Sequence, residues 1–251
     1  MEINEGSQSP ISNPQSPILY PMKTAFIICG ALAREVLDIS QKYGWEAEVF
    51  GIPAIVHMHP ERIAHSVDKR IKEIKARFDR VIIVFGDCGS QGTLDWVLEK
   101  YGLERIDGPH CYEMYGGDTF HNLMDEEPGT FFLTDFLVRG FQGTIIKGLG
   151  LDRYPELQAD YFRNYKRLVY LVQNRESNLA RKAEEIAHFL QLPLVIQETG
   201  YGLLEERLVA LMNGRSQPPS HIPRLPAREM LVKGETAVRP NRQQTRRRKR
   251  D

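Results

Sequence analysis

Three cysteines stand in the first half of the chain, each beside a turn: Cys29-Gly30, Gly86-Asp87-Cys88-Gly89 and Gly108-Pro109-His110-Cys111. Three is too few and too odd a number for a disulfide framework, so they read as thiols or ligands in a reducing compartment. Cys29 ends and Cys88 follows an apolar run with the length of a strand, and Cys111 comes after a short fourth strand expected at residues 104–106. In an open parallel α/β sheet the carboxyl ends of the strands face one crevice, and ligands bind there. If the strands run in the order 2-1-3-4, three adjacent ones deliver the thiols across roughly 10 Å, at about 4.8 Å per strand.

Three thiolates of this kind suit a soft metal. With His110 as fourth ligand, Cys29, Cys88 and Cys111 would close a tetrahedral zinc site, and with the fourth position open they would accept a substrate. The same thiolates suit an iron–sulfur cluster with one unprotected iron. Their softness excludes magnesium and calcium. Glu113 is the candidate second-shell group or proton acceptor. Gly30 and Gly89 permit close approach of backbone to a bound species, and Asp87 either orients it or caps the following helix. His57 follows the second strand closely enough to reach the same crevice.

Two other readings stand beside the metal. Cys88, between Asp87 and Gly89 near a helix start, could be a metal-free nucleophile with His110 as its base. A binding or accessory protein without turnover would instead use the aromatic segment from Phe120 to Phe141 as a partner surface. Against all three stands plain structure: cysteine is often a packing residue, and His110 and Asp87 suit turns and caps. The glycines Gly86, Gly89 and Gly92 make neither a dinucleotide fingerprint nor a phosphate loop, and no Gly-x-Ser-x-Gly elbow is present.

The elements that must hold these residues alternate. Strands are expected at residues 24–30, 46–50, 80–86, 104–106, 168–172 and 194–197, separated by segments of helical period such as Ile63, Val67, Ile71 and Ile74. The fold class is therefore α/β: an open, mostly parallel sheet of about six strands with helices on both faces. Residues 110–149 show no good strand and are expected to form a helical insert. A single α/β domain is expected over residues 22–214, between a disordered arm at 1–21 and a disordered basic tail at 215–251.

The chain of 251 residues balances 33 basic against 33 acidic side chains. That balance is uneven, because residues 215–251 hold eleven basic and three acidic side chains and leave the remainder acidic. An acidic body favours a bound cation. The Arg246–Arg250 run would bind nucleic acid only nonspecifically, since it lacks interleaved aromatics. No apolar run reaches membrane-spanning length, and residues 1–20 do not read as a secretory signal. A cytoplasmic location is expected.

Several motifs in one order resemble a known family. They are Ile27-Ile28-Cys29-Gly30, Phe85-Gly86-Asp87-Cys88-Gly89, Gly108-Pro109-His110-Cys111-Tyr112-Glu113 and Pro128-Gly129-Thr130-Phe131-Phe132-Leu133-Thr134-Asp135, continuing through Gly148-Leu149-Gly150 and Val169-Tyr170-Leu171. Over residues 24–212 the chain resembles the bacterial and archaeal family catalogued as domain of unknown function 1638. The resemblance implies, by association, corrinoid-dependent methyltransfer systems and one-carbon metabolism, with a small-molecule thiol or a corrinoid protein as partner. A zinc-held thiol that accepts a methyl group is compatible with that context.

Overall fold

The computed structural model describes residues 22–220. The architecture is α/β, with two parallel sheets rather than the single sheet expected. The first contains β1 (Thr24–Cys29), β2 (Ala47–Ile52), β3 (Arg80–Val84) and β4 (Glu104–Arg105) in the order β2-β1-β3-β4. The second contains β5 (Thr130–Leu133), β6 (Arg167–Val172) and β7 (Leu194–Glu198) in the order β5-β6-β7.

The sequence explains the central strands directly. Every residue of β1 is buried, as expected for an apolar run paired on both edges and covered on both faces. Its partners run in register, Cys29 opposite Ile52 and Ile28 opposite Val84. The first sheet is covered by α1 (Ala33–Tyr43), α2 (Ile63–Ile74) and α3 (Thr93–Tyr101). α2 buries Ile63, Val67, Ile71 and Ile74 along one stripe. The helices of the second half are α4 (Cys111–Glu126), α5 (Asp135–Phe141), α6 (Leu157–Phe162), α7 (Ser177–Leu190) and α8 (Gly202–Met212).

The outer edge of β4 is met by residues from far along the chain. The side-chain amide of Gln217 accepts from Asp107 N at 2.7 Å and donates to Arg105 O at 3.0 Å. A side chain thus occupies the outer edge where a fifth strand would pair. Ser220 N adds a bond to Asp107 Oδ2 at 3.2 Å. Hydrogen-bonded structure therefore runs through residues 217–220, the start of the segment expected to be tail. The rest of that tail, and the arm at 1–21, lie outside the described residues.

Residues 110–149 also differ from expectation. They contain β5, which pairs with β6 through Phe131 opposite Leu168 and Phe132 opposite Val169. Thr130-Phe-Phe-Leu is β-prone, and Thr134 caps α5 immediately afterwards, its Oγ1 accepting from Leu137 N at 3.4 Å. The strand is short enough that the flanking helical pattern masked it. Phe120, Phe132 and Phe141 are buried, so much of the aromatic segment is core rather than partner surface.

α4 joins the two halves. Met114 and Tyr115 belong to the core of the first sheet, while Phe120 packs with Phe132, Val169 and Leu171 of the second. The helix bends at Gly117, where φ is 49°. The closing helix α8 returns to pack on α4, burying Leu204, Leu208 and Leu211 in the first core.

Candidate functional site

The three thiols stand at the carboxyl ends of neighbouring strands. Cys29 closes β1 and is buried, and its sulfur accepts from Ala31 N at 3.4 Å in the short turn that opens toward α1. Cys88 lies four residues after β3. Cys111 is the first residue of α4, just after His110 in the cap position. The loops after β3 and β4 continue side by side past the sheet, with Asp87 N bonded to Gly108 O at 3.1 Å and Cys88 N to Pro109 O at 2.7 Å. Gly86 permits this approach. A Cβ there would stand 3.0 Å from His110 Cα and Pro109 O, tighter than nearly all real contacts.

Cys88 has a φ of 49°, a conformation side chains rarely adopt. The loop around it is held by Asp87, whose carboxylate accepts from Ser90 Oγ at 2.8 Å, Gly92 N at 2.9 Å and, more distantly, Gly89 N and Gln91 N. Burial opposes ionisation of Asp87, but these donors outweigh it and hold its pKa below the ordinary value. Asp87 is thus a loop organiser, with its oxygens already engaged. Gly89, with φ of 84°, serves the same turn. At Gly30 a Cβ would meet Ile52 O at 3.1 Å and Ala54 N at 3.3 Å, so that glycine admits the chain after β2 rather than a ligand.

Two of the expected site residues are directed elsewhere. His110 Nδ1 accepts from Glu113 N at 3.4 Å as the cap of α4, and its ring packs edge-on against Tyr112 and Phe120. Burial lowers its pKa, so it is a neutral ring in an aromatic cluster. Glu113 is fully buried, and both its oxygens accept from Arg207, at 2.6 and 2.8 Å. That bidentate pair engages both Glu113 oxygens, so the carboxylate neither takes a proton at the thiols nor supports a ligand there. Gly108 is required beside it, since a Cβ would lie 2.6 Å from Glu113 Oε2.

The histidine that does meet a thiol is His57. Its Nε2 lies 3.8 Å from Cys29 Sγ, and its Nδ1 lies 2.9 Å from Ala54 O. Its Nδ1 stands 4.0 Å from the same sulfur, so Cys29 Sγ lies beside the ring rather than along the Nε2 lone pair, and the Ala54 carbonyl, which only accepts, favours the tautomer with its proton on Nδ1. The ring also stacks on Phe85, at 6.0 Å between centroids. A bond from Nδ1 to a backbone carbonyl is a feature that metal-ligating histidines share.

Electrostatics ties the thiols together. Burial pushes Cys29 up to about 11. Burial, with the charge of Cys29 added, pushes Cys111 up to about 12. Cys88 is raised well above its ordinary value by burial and then by Cys111 and Cys29. All three are therefore thiols in the metal-free protein at neutral pH. Among the described residues, no three or more His, Cys, Asp or Glu side chains stand as a group that could hold a metal ion.

The second sheet supplies the opposite wall. Asp135, fully buried at the end of β5, accepts from Tyr170 Oη at 2.7 Å, Asn174 N at 2.9 Å and Gln173 N at 3.1 Å. One turn on, Arg139 reaches Glu176 Oε1 at 3.0 Å and Glu35 Oε1 at 3.5 Å. Arg34 joins Glu176 at 3.2 Å. The exits of β1, β5 and β6 are thus bound to one another by charge. Glu35, 3% exposed, has its pKa raised by burial despite Arg139. Beside them Tyr115 is buried with no hydrogen-bond partner for its hydroxyl among the described residues. Its pKa is raised well above the ordinary value by burial and then by Glu35, Cys111, Cys29 and Asp135.

A family model described as a protein of unknown function, DUF1638, matches residues 52–208. The chain belongs to the DUF1638 family. His57, Cys88, Cys111 and Arg207 lie inside the matched span, and Cys29 precedes it. No curated protein and no solved structure matches this DUF1638 chain. Among its described residues no helix is long and apolar enough to cross a membrane.

Proposed function

We propose that the protein binds a soft cation, zinc first, at the carboxyl edge of its first sheet, through Cys29, Cys88, Cys111 and His57. The observation that carries this reading is the placement of three thiols, one buried and two half-buried, at the exits of neighbouring strands, with the His57 ring against Cys29. A soft divalent cation would displace the thiol protons and neutralise the thiolates it creates, so that its binding releases protons and offsets the burial that keeps the thiols protonated in its absence. His57 takes the place the sequence suggested for His110. The same sulfurs suit an iron–sulfur cluster as the alternative occupant.

A held cation supplies one kind of chemistry: it lowers the pKa of a bound thiol or water. The orphan Tyr115 hydroxyl and the protonation-prone Glu35 then line the side of the site where a small substrate would lie. Methyl transfer to a substrate thiol fits such a site, and so does the corrinoid association of the family resemblance. A small thiol or a corrinoid-bearing protein is accordingly the partner we propose.

The metal-free nucleophile is favoured by one observation, the strained backbone at Cys88. Its raised pKa works against it, since the nucleophile is the thiolate. One experiment separates the two. Anaerobically purified protein is analysed for zinc and iron, then titrated with cadmium while sulfur-to-metal charge-transfer absorbance is followed. We expect stoichiometric uptake, lost in Cys88→Ser and weakened in His57→Ala. Folded protein that takes up neither metal, or a single fast-alkylating thiol in metal-free protein, would overturn the cation reading.

A further inference from the structure

A cavity lies between α5, the turn that follows it and α7, and none of the three thiols lines it. It measures about 480 Å³, the size of a small-molecule site. Its apolar wall is formed by Phe141, Ile146, Leu151, Ile186 and Phe189. Phe141 and Phe189 meet edge to face at 6.3 Å between centroids, yet Phe189 is 45% exposed. An aromatic ring left open to water at the mouth of an apolar cavity costs solvation free energy that an apolar ligand would recover.

Two features show that the cavity is built by specific structure. Residues Gln142–Ile146 form a π-helical turn, closed by Lys147 N bonding Gln142 O at 3.1 Å. Such turns are rare and occur often at functional sites. This one sets both its ends, Gln142 and Ile146, into the cavity lining. On the opposite side Gln158 Nε2 donates to Phe189 O at 2.9 Å, fastening α6 to the end of α7.

The charges at the rim decide the polarity of the ligand. Arg139 contributes to the lining, but its guanidinium already serves Glu35, Asp135 and Glu176. Glu185 at the rim pairs with Arg181 at 3.7 Å. Lys182 also lines the cavity and has no ion-pair partner among the described residues. One uncompensated cation above an apolar cavity calls for an apolar molecule with a single anionic end.

We infer that this cavity binds a small amphipathic carboxylate, its hydrocarbon body against Phe141, Ile146 and Ile186 and its carboxylate at Lys182. The site is separate from the thiols and rests on none of the cation reading.

Full-length protein titrated with octanoate, followed by ligand-detected NMR and calorimetry, tests it, with octanol as the uncharged comparison. Saturable binding of octanoate in the millimolar range or tighter is expected, and weaker binding of octanol. Lys182→Gln should weaken octanoate by about tenfold, the scale of one charge-assisted hydrogen bond, and leave octanol unchanged. Phe189→Ala should weaken both. Each residue is at least partly exposed, and circular dichroism confirms that each variant folds. No saturable binding, octanol as tight as octanoate, or octanoate binding indifferent to both substitutions would overturn the inference.

Discussion

Arg207 donates to both carboxylate oxygens of Glu113, and neither side chain is exposed to solvent. The same guanidinium donates to Asp107 O, Pro218 O and Pro219 O, at 3.0–3.1 Å. One residue of α8 thereby holds the first turn of α4, the loop that leads to Cys111, and the chain that covers β4. The pair thus anchors the start of α4, the helix that Cys111 opens.

Breaking the pair leaves an uncompensated buried charge. Arg207→Met is expected to cost about 3–5 kcal/mol, whereas Arg207→Met combined with Glu113→Leu should recover much of that loss. Urea denaturation of the two variants checks it. A double variant no more stable than the single one would show that the pair's packing, not its charge, dominates.

Tyr115→Phe removes a buried hydroxyl that bonds nothing among the described residues. An unsatisfied group of this kind costs about 1–3 kcal/mol, so the variant should be as stable as the parent or more stable. Thermal unfolding with and without cadmium gives the measurement. If the hydroxyl meets a ligand in the loaded site, the advantage shrinks when cadmium is present; a clear loss of stability without metal would mean that the hydroxyl is already bonded.

The raised thiols give the stability of the metal-free protein a basic limb. The folded thiols hold their protons more tightly than the ordinary value of 9.0, Cys29 up to about 11 and Cys111 up to about 12. Above pH 9 the unfolded chain releases protons that the folded chain retains, so folding stability is full below that pH and falls as pH rises toward 12. Unfolding midpoints measured from pH 7 upward should show this fall, and substituting Cys111 by Ala should reduce it. A flat profile would contradict the burial of these thiols.

Gly202 begins α8 with φ of 47°, and a Cβ there would lie 2.1 Å from Tyr115 O. Gly202→Ala must therefore push α8 from α4 and strain the backbone as well. A loss of about 3 kcal/mol or more is expected, read by denaturation together with faster alkylation of Cys111. An alanine variant with parental stability would rule out so close an approach of the two helices.

The placement of the thiols was legible in residue order because it depends on local rules. An apolar run such as Thr24–Cys29 forms a buried strand wherever it sits, and the residue after a strand in a parallel sheet lies at the carboxyl edge. Given the order β2-β1-β3-β4, which the structure has, those rules put Cys29, Cys88 and Cys111 on one common edge. They do not decide between two histidines. His110 is adjacent to Cys111 in sequence, but helix capping turned it to the aromatic cluster, while His57 came to Cys29 because parallel pairing sets Ile52 opposite Cys29.

Where the outcome rested on contacts between distant residues, local pattern carried no trace of it. Glu113 reads as an acid near a thiol, and only the return of α8 across 94 residues makes it one half of a buried pair. The outer edge of β4 is likewise met by Gln217, 112 residues downstream of Arg105. By itself the sequence determined the α/β class and the strand ends that bear the thiols, since both follow from short-range periodicity. Only the tertiary structure decided which acid and which histidine face those thiols, because a buried partner is chosen by packing in space rather than by position along the chain.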